Sequence, residues 1–233
     1  YQRRVRENQM QKYAKERRDQ FYKLAKEEGY RARSAYKLIQ INDYLNIFQN
    51  VSRAVDLCAA PGSWSQVLSK KLPENSKIVA VDLAQIAPIN NVIIIKGDIT
   101  TKETANQVIE SANGLVDLVV CDGAPDVTGI HDLDEFVQSE LIQAAMIIIQ
   151  RILKQNGVFV SKIFRGQLTE EVLCETLAKH FSKVQIVKPA ASRSSSMEAF
   201  VVCQGYGTPG IVINGVTCIG KECGIDADKI NLE

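Results

Sequence analysis

Histidine is nearly missing from this 233-residue chain, which holds only His131 and His180. So small a supply suggests no metal site. Cysteine is sparse and scattered: Cys58, Cys121, Cys174, Cys203, Cys218 and Cys223, several of them inside apolar strand-like runs. That pattern reads as buried free thiols in a reducing compartment rather than a disulfide framework. Cys218 and Cys223 lie close enough to suggest half of a zinc site, but no second pair accompanies them. No apolar run approaches the length that spans a bilayer, and no secretory signal pattern opens the chain. A cytoplasmic protein with neither metal nor membrane attachment is expected.

An excess of charge of one sign is missing too, since the formal net charge is only +1. That balance hides an asymmetry. Residues 1–40 hold twelve Lys/Arg against five Asp/Glu, a net +7, and the remainder holds sixteen against twenty-two, a net −6. A basic end on an acidic body suggests a polyanion held at one place, with nucleic acid the first candidate and a merely solvated basic helix the alternative. An apolar fraction of 45% and a charged fraction of 24% are ordinary for a globular protein with one full core.

Residues from about 11 to 28 favour a helix, with Gly29 placed as a C-terminal cap. A second helix is expected from near Ser34, with Leu38, Ile41 and Leu45 on one face. Then the period changes. Apolar, β-branched segments appear at 53–59, 77–83, 92–98, 115–122, 157–164, 182–188 and 199–205, most of them separated by helical stretches such as 132–154 and 169–181. This alternation predicts an α/β fold with a parallel sheet covered by helices on both faces. A short loop joins the last two strands, so they are expected to pair as a hairpin. A seven-stranded, mostly parallel sheet with the last strand antiparallel is similar to the arrangement of Rossmann-like methyltransferases. Residues 1–206 form a single domain on this reading, with basic N-terminal helices over 10–50 as the candidate nucleic-acid face and a core over 51–206. Residues 207–233 fit no sheet position and are expected to be an irregular extension.

The segment VDLCAAPGSWSQVLSKKL, residues 55–72, begins as a buried strand and ends as an amphipathic helix. A strand, glycine turn and helix are how α/β proteins cradle nucleotides. Acidic residues mark the strand ends in series: Asp56, Asp82, Asp98 and Asp122. Asp82 lies twenty residues beyond Gly62, where a carboxylate accepts hydrogen bonds from ribose hydroxyls. That spacing alone also suits a dinucleotide enzyme. A pyrophosphate, however, needs close backbone approach and three glycines, whereas this turn has Gly62, a proline and the bulky Trp64. A ligand without phosphates fits better, and carboxylates suit the sulfonium cation of S-adenosylmethionine. The plainer alternative is that these aspartates only cap strands and helices.

Lys162 stands in the apolar run VFVSKIF, where burying an ammonium is costly without partners. It reads either as a lysine snorkelling from a strand end or as a general base with a lowered pKa. Glu198 opens the last strand, and Lys37 sits in RARSAYKL on the second helix. Here the sequence closely resembles the FtsJ/RrmJ family of ribose 2′-O-methyltransferases, through RARSAYKL, VDLCAAPGSWSQVL, CDGAPDVTG, KIFRG and SRSSSMEAFVVCQG, over roughly residues 18–206. The resemblance implies a catalytic tetrad of Lys37, Asp122, Lys162 and Glu198. It also implies a donor pocket using Gly62, Trp64, Asp82, Asp98 and Asp122. DLCAAPGSWSQ and VSKIFRG are most similar to the eukaryotic branch acting on the tRNA anticodon loop, whereas the bacterial ribosomal branch usually carries a second glycine where Ser63 stands. That branch methylates nucleotides 32 or 34 and works with auxiliary subunits that select the nucleotide.

For the RNA itself, Arg17, Arg18, Lys23, Lys26, Arg31, Arg33 and Arg193 are candidate phosphate contacts, and Tyr30 or Tyr36 could stack on loop bases or pack between helices. Ser192–Ser196 would supply small donors beside Glu198. An NAD-dependent oxidoreductase is disfavoured by the single glycine and Trp64. A non-catalytic RNA-binding module on a methyltransferase fold is disfavoured by the complete tetrad. A ribosomal RNA substrate is the alternative within the family.

Overall fold

The structure is a computed structural model that describes residues 20–124, 131–166, 174–193 and 196–220. Among these, eight strands build one sheet: β1 (Arg53–Leu57), β2 (Lys77–Asp82), β3 (Val92–Lys96), β4 (Val116–Cys121), β5 (Leu153–Phe164), β6 (Phe181–Pro189), β7 (Glu198–Tyr206) and β8 (Ile211–Ile219). Their order is β3-β2-β1-β4-β5-β7-β6-β8, and β7 alone runs against its neighbours. The expected hairpin of the sixth and seventh strands is present. The chain runs outward from β1 through β2 to β3, then returns to place β4 on the other side of β1. That reversal opens a crevice beyond the carboxyl ends of β1 and β4, where α/β sheets bind ligands.

The helices are α1 (20–27), α2 (Ala35–Leu45), α3 (Ser63–Lys71), α4 (Lys102–Ala112), α5 (His131–Ile152) and α6 (174–178). Two cores follow from the alternation along the strands. Val55 and Leu57 of β1 face α4 and α5, meeting Val108, Ile148 and Ile149. Ala54 faces α2 and α3, whose Leu38, Ile41, Val67 and Leu68 are fully buried. Each such aliphatic side chain contributes about 1.5–3 kcal/mol by leaving water. Ile41→Ala would remove about 2–5 kcal/mol and loosen α2 from the sheet.

Two expectations change. The helical stretch was expected to run to 154 and the next strand to start at 157, but β5 already begins at Leu153, which pairs with Val116 across a register shift. Residues 207–233 were expected to be irregular, yet 211–219 form β8 beside β6. The pattern was hidden by Asn214-Gly215, which reads as a turn. Here the pair is a bulge: Gln185 opposes Ile213 and Ile186 opposes Val216, with Gly215 at φ 83°. Residues 221–233, including Cys223, lie outside the described residues, as do 11–19 of the expected first helix and 169–173 of the expected last one.

Candidate active site

The sheet register brings the four expected catalytic side chains together. Lys162 of β5 opposes Phe200 of β7, and Phe164 opposes Glu198. With period 2, Lys162 and Glu198 therefore share one face, as diagonal neighbours. It is the face that packs α2, because Val160 and Phe200 lie in the same core as Leu38. Lys37 reaches in from α2, and Asp122 follows the end of β4 directly. No pair of these residues is close in sequence.

Lys162 Nζ lies 2.8 Å from Asp122 Oδ1 and donates to the Asp122 main-chain carbonyl at 2.6 Å. Lys37 Nζ meets both Glu198 carboxylate oxygens at 2.8 Å. Longer contacts of 3.8 Å cross between the pairs, Lys37 to Asp122 and Lys162 to Glu198. Ser192 Oγ donates to Glu198 Oε1 at 2.8 Å, as the serine-rich segment suggested. Two cations and two carboxylates alternate with no net charge, which makes burial tolerable.

The protonation of Lys162 departs from the expected lowered value. Burial alone pulls it down, but the carboxylates of Asp122 and Glu198 outweigh that and hold it above the ordinary lysine value. Burial pushes Glu198 up, and Lys37 and Lys162 more than reverse this, so it stays below the ordinary carboxyl value. The network is a set of ion pairs with Lys162 protonated.

Along the carboxyl edge, the glycine turn ends in Gly62 at φ 102°, the cap of α3. Asp82 Oδ2 accepts from Ala60 N at 2.8 Å and its Oδ1 from Ala84 N at 2.7 Å. The carboxylate thus ties the turn to the loop after β2. Asp98 Oδ1 accepts from the Thr100 backbone and hydroxyl at 2.9 and 2.8 Å. Trp64 does not turn its ring toward this edge: the indole is 2% exposed, packs on Phe200 and donates from Nε1 to Ser34 O at 2.9 Å. Its backbone lies in the first turn of α3.

The remaining candidates divide. Lys26 and Arg193 are exposed on the surface. Arg33 donates to Ala191 O at 3.1 Å. Arg31 is occupied by the main chain of the carboxyl edge, donating from Nη1 to Pro61 O and from Nη2 to Pro88 O, each at 2.9 Å. Tyr30 and Tyr36 are buried, edge to face with centroids 6.0 Å apart, and offer no stacking surface. Arg17, Arg18, Ser194 and Ser195 lie outside the described residues.

Of two further residues near the site, Gln138 carried little sequence signal, whereas Asp56 stood first in the series of strand acids. Gln138 of α5 is buried and donates from Nε2 to Lys162 O at 2.8 Å and Gly123 O at 3.2 Å, fixing the strand ends that carry Lys162 and Asp122. A polar residue on an otherwise apolar helix face was its only mark. Asp56 is fully buried on the α3 side and accepts from Ser65 Oγ at 2.6 Å, while its Oδ1 has no hydrogen-bond partner. Burial, together with Asp122 and Asp82, pushes its carboxyl up to about 7 despite the Ser65 bond.

Several known proteins are similar to this chain. A Homo sapiens protein named tRNA (cytidine(32)/guanosine(34)-2′-O)-methyltransferase is 53% identical over 203 residues, spanning 86% of this chain and 61% of that protein. Ribosomal RNA large subunit methyltransferase E of Methanothrix thermoacetophila is 43% identical over 189 residues, spanning 81% of this chain and 73% of that protein. A solved structure described as a ribosomal RNA methyltransferase of Plasmodium falciparum superposes with a TM-score of 0.67 at 25% identity, covering 76% of this chain and 99% of that one. The chain spans about 60% of the length of the Caenorhabditis elegans and Homo sapiens relatives named as tRNA methyltransferases. Residues 30–206 match the FtsJ-like methyltransferase family, and that span contains the whole Lys37–Asp122–Lys162–Glu198 cluster; the chain belongs to this family.

Proposed function

We propose that the chain transfers a methyl group from S-adenosylmethionine to the ribose 2′-hydroxyl of tRNA anticodon-loop nucleotides, at position 32, 34 or both. The observation that carries the reading is the neutral cluster of two lysines and two carboxylates, buried where the sheet reverses its strand order. The donor set fits this cofactor: Asp82, Asp98 and Asp122 face the edge with carboxylates, which favour a sulfonium and oppose a phosphate. When bound, the cofactor supplies an electrophilic methyl carbon.

The chain's residues must then hold a 2′-hydroxyl in line and accept its proton. Lys162 Nζ is the group for both tasks. Asp122 orients it through two oxygens, and Glu198, held by Lys37 and Ser192, fixes the opposite side. Protonated, Lys162 positions the hydroxyl oxygen as a donor; to act as base its ammonium must first release a proton to solvent, after which the free amine takes the proton of the hydroxyl as the oxygen gains its methyl group. Lys37, the second cation beside Asp122 and Glu198, shares their charge and so eases that release. Alignment of the reacting atoms is the larger contribution.

RNA approach over α1 and α2 is supported by the +7 N-terminal segment and the exposed Lys26 and Arg193. Phosphate contacts position RNA without selecting a nucleotide, so an auxiliary protein subunit is part of the reading. A cytoplasmic location suits a tRNA substrate; among the described residues no helix is long and apolar enough to cross a membrane. The test is 2′-O-methylation of purified tRNA against ribosomal particles, with and without cell extract. Methylated anticodon loops, at a rate raised by extract, are expected. Methylation confined to ribosomal RNA would reverse the substrate, and a rate that extract leaves unchanged would remove the partner.

A further inference from the structure

Arg31 belongs to the basic segment, yet its guanidinium is taken up by two main-chain carbonyls along the carboxyl edge of the sheet. We infer that Arg31 is a positioning residue for the methyl donor: its forked guanidinium holds the glycine turn and the loop after β2 at a fixed separation. The inference rests on the donor site proposed above and goes beyond it.

The two carbonyls it takes belong to the two walls of that site. Pro61 O lies in the turn after β1, and Pro88 O lies in the middle of residues 83–91. That segment contains no helix or strand. Its backbone has almost no ladder of its own, with Val92 N to Ile89 O at 3.3 Å closing its far end. Order in its middle therefore depends on side chains from elsewhere. Asp82 ties its beginning, through Ala84 N, and Ser69 Oγ ties its end, through Asn90 O at 2.6 Å. Arg31 ties the centre.

The contact at Gly62 shows how closely the parts fit. A Cβ added there would lie 2.7 Å from Arg31 Nη1, 2.8 Å from Ile89 Cδ1 and 3.0 Å from Ile86 Cγ2. The guanidinium and the apolar side of the loop thus meet against the bare glycine. Arg31 is itself anchored to α3: its N–H donates to Gln66 Oε1 at 2.8 Å, and Gln66 Nε2 donates back to Gly29 O at 3.0 Å. A planar fork with two diverging donors can satisfy two carbonyls from separate segments, whereas an ammonium on a flexible stem does so poorly. Through this linkage the segment between α1 and α2, which faces RNA in the proposed function, is joined rigidly to the donor turn.

The test compares wild type, Arg31→Ala, Arg31→Lys and Asp82→Ala. Donor affinity is measured by calorimetry, tRNA affinity by its salt dependence, and loop order by hydrogen exchange without donor. Arg31→Ala should weaken donor binding about tenfold, the effect of losing two charge-assisted hydrogen bonds that only preorganise the site. Exchange should quicken in residues 83–91 and not across β4 or β5, and Arg31→Lys should restore part of both. In turnover, KM for the donor should rise more than kcat falls. The salt slope of tRNA binding should stay at its wild-type value. If Arg31→Ala fails to fold, Arg31→Lys carries the same comparison with a smaller loss. Donor affinity within twofold of wild type in Arg31→Ala, beside a weakened Asp82→Ala, overturns this inference alone, and so does a reduced salt slope. Absence of donor binding in the wild type overturns the donor site and this inference together.

Discussion

In Lys162→Ala, Asp122 loses the ammonium 2.8 Å from its Oδ1 and the donor to its main-chain carbonyl. At an effective dielectric of about 20, that 2.8 Å ion contact is worth roughly 6 kcal/mol of gross attraction. Most of it is offset by the desolvation that both groups already bear, and breaking a buried pair typically costs about 3–5 kcal/mol. Lys37 remains 3.8 Å from the same oxygen, so the low end applies, about 3 kcal/mol. For a domain of this size that lowers Tm by about 6–12 °C. Methyl transfer should fall further, by about 10²–10⁴-fold, because the group that aligns and deprotonates the hydroxyl is gone. The assay is single-turnover methylation of tRNA with donor saturating, run below the lowered Tm, alongside calorimetric donor binding. Asp122→Asn in the same background should recover stability, since no carboxylate is left unpaired, but no activity. A variant that keeps more than a tenth of the wild-type rate would refute the assignment of Lys162, and so would recovery of rate with stability in the double variant.

Asp82→Ala should weaken S-adenosylmethionine about ten- to a hundred-fold, since it removes an acceptor for ribose and unties Ala60 and Ala84; unchanged calorimetric affinity would reduce Asp82 to a strand end. Glu198, held below the ordinary carboxyl value, contributes stability above that value and loses it as pH falls through its lowered one; Lys162, held above the ordinary lysine value, contributes until pH climbs past its raised one. Melting at acid pH should therefore show an ion-pair loss below about pH 4.5 that Glu198→Gln abolishes; identical acid melting in the variant would contradict the pairing. Asp56 has the opposite sign: its carboxyl is raised to about 7, so stability declines as pH rises toward that value. Asp56→Asn should raise Tm at about pH 8 more than at about pH 5, and an equal shift at both would mean that the buried carboxyl is not neutral. Reversing Lys26 and Arg193 to glutamate should lower tRNA affinity and flatten its salt slope by roughly 0.7 per lost phosphate contact, whereas an unchanged slope would place RNA elsewhere.

The strands were legible because they are buried on both faces and so read as short continuous runs of apolar, β-branched residues. Val55, Val79, Val119 and Phe159 needed no context to be read as sheet residues. Where two elements meet without a break the reading slipped, as at Ile152–Leu153, since helix and buried strand share the same apolar residues there. In β8 a bulge at Asn214-Gly215 imitated a turn, because a local signal cannot say whether a kink ends a strand or merely bends it.

The sequence by itself determined the strand–turn–helix at 55–72, the carboxylates at the strand ends and the lysine inside an apolar strand. Each is a local statement about which residue types sit at which spacing. Tertiary structure decided which of these groups meet. Lys37 and Glu198 are 161 positions apart and touch only because β7 inserts between β5 and β6 while α2 packs over that face. The same packing made Lys162 a protonated member of an ion-pair network, turned Trp64 into a core residue and engaged Arg31 with the main chain of the glycine turn. Orientation, burial and charge partners depend on residues distant in the chain, and their energies are set by the local dielectric and by distances of a few ångströms. No spacing along a sequence encodes those quantities.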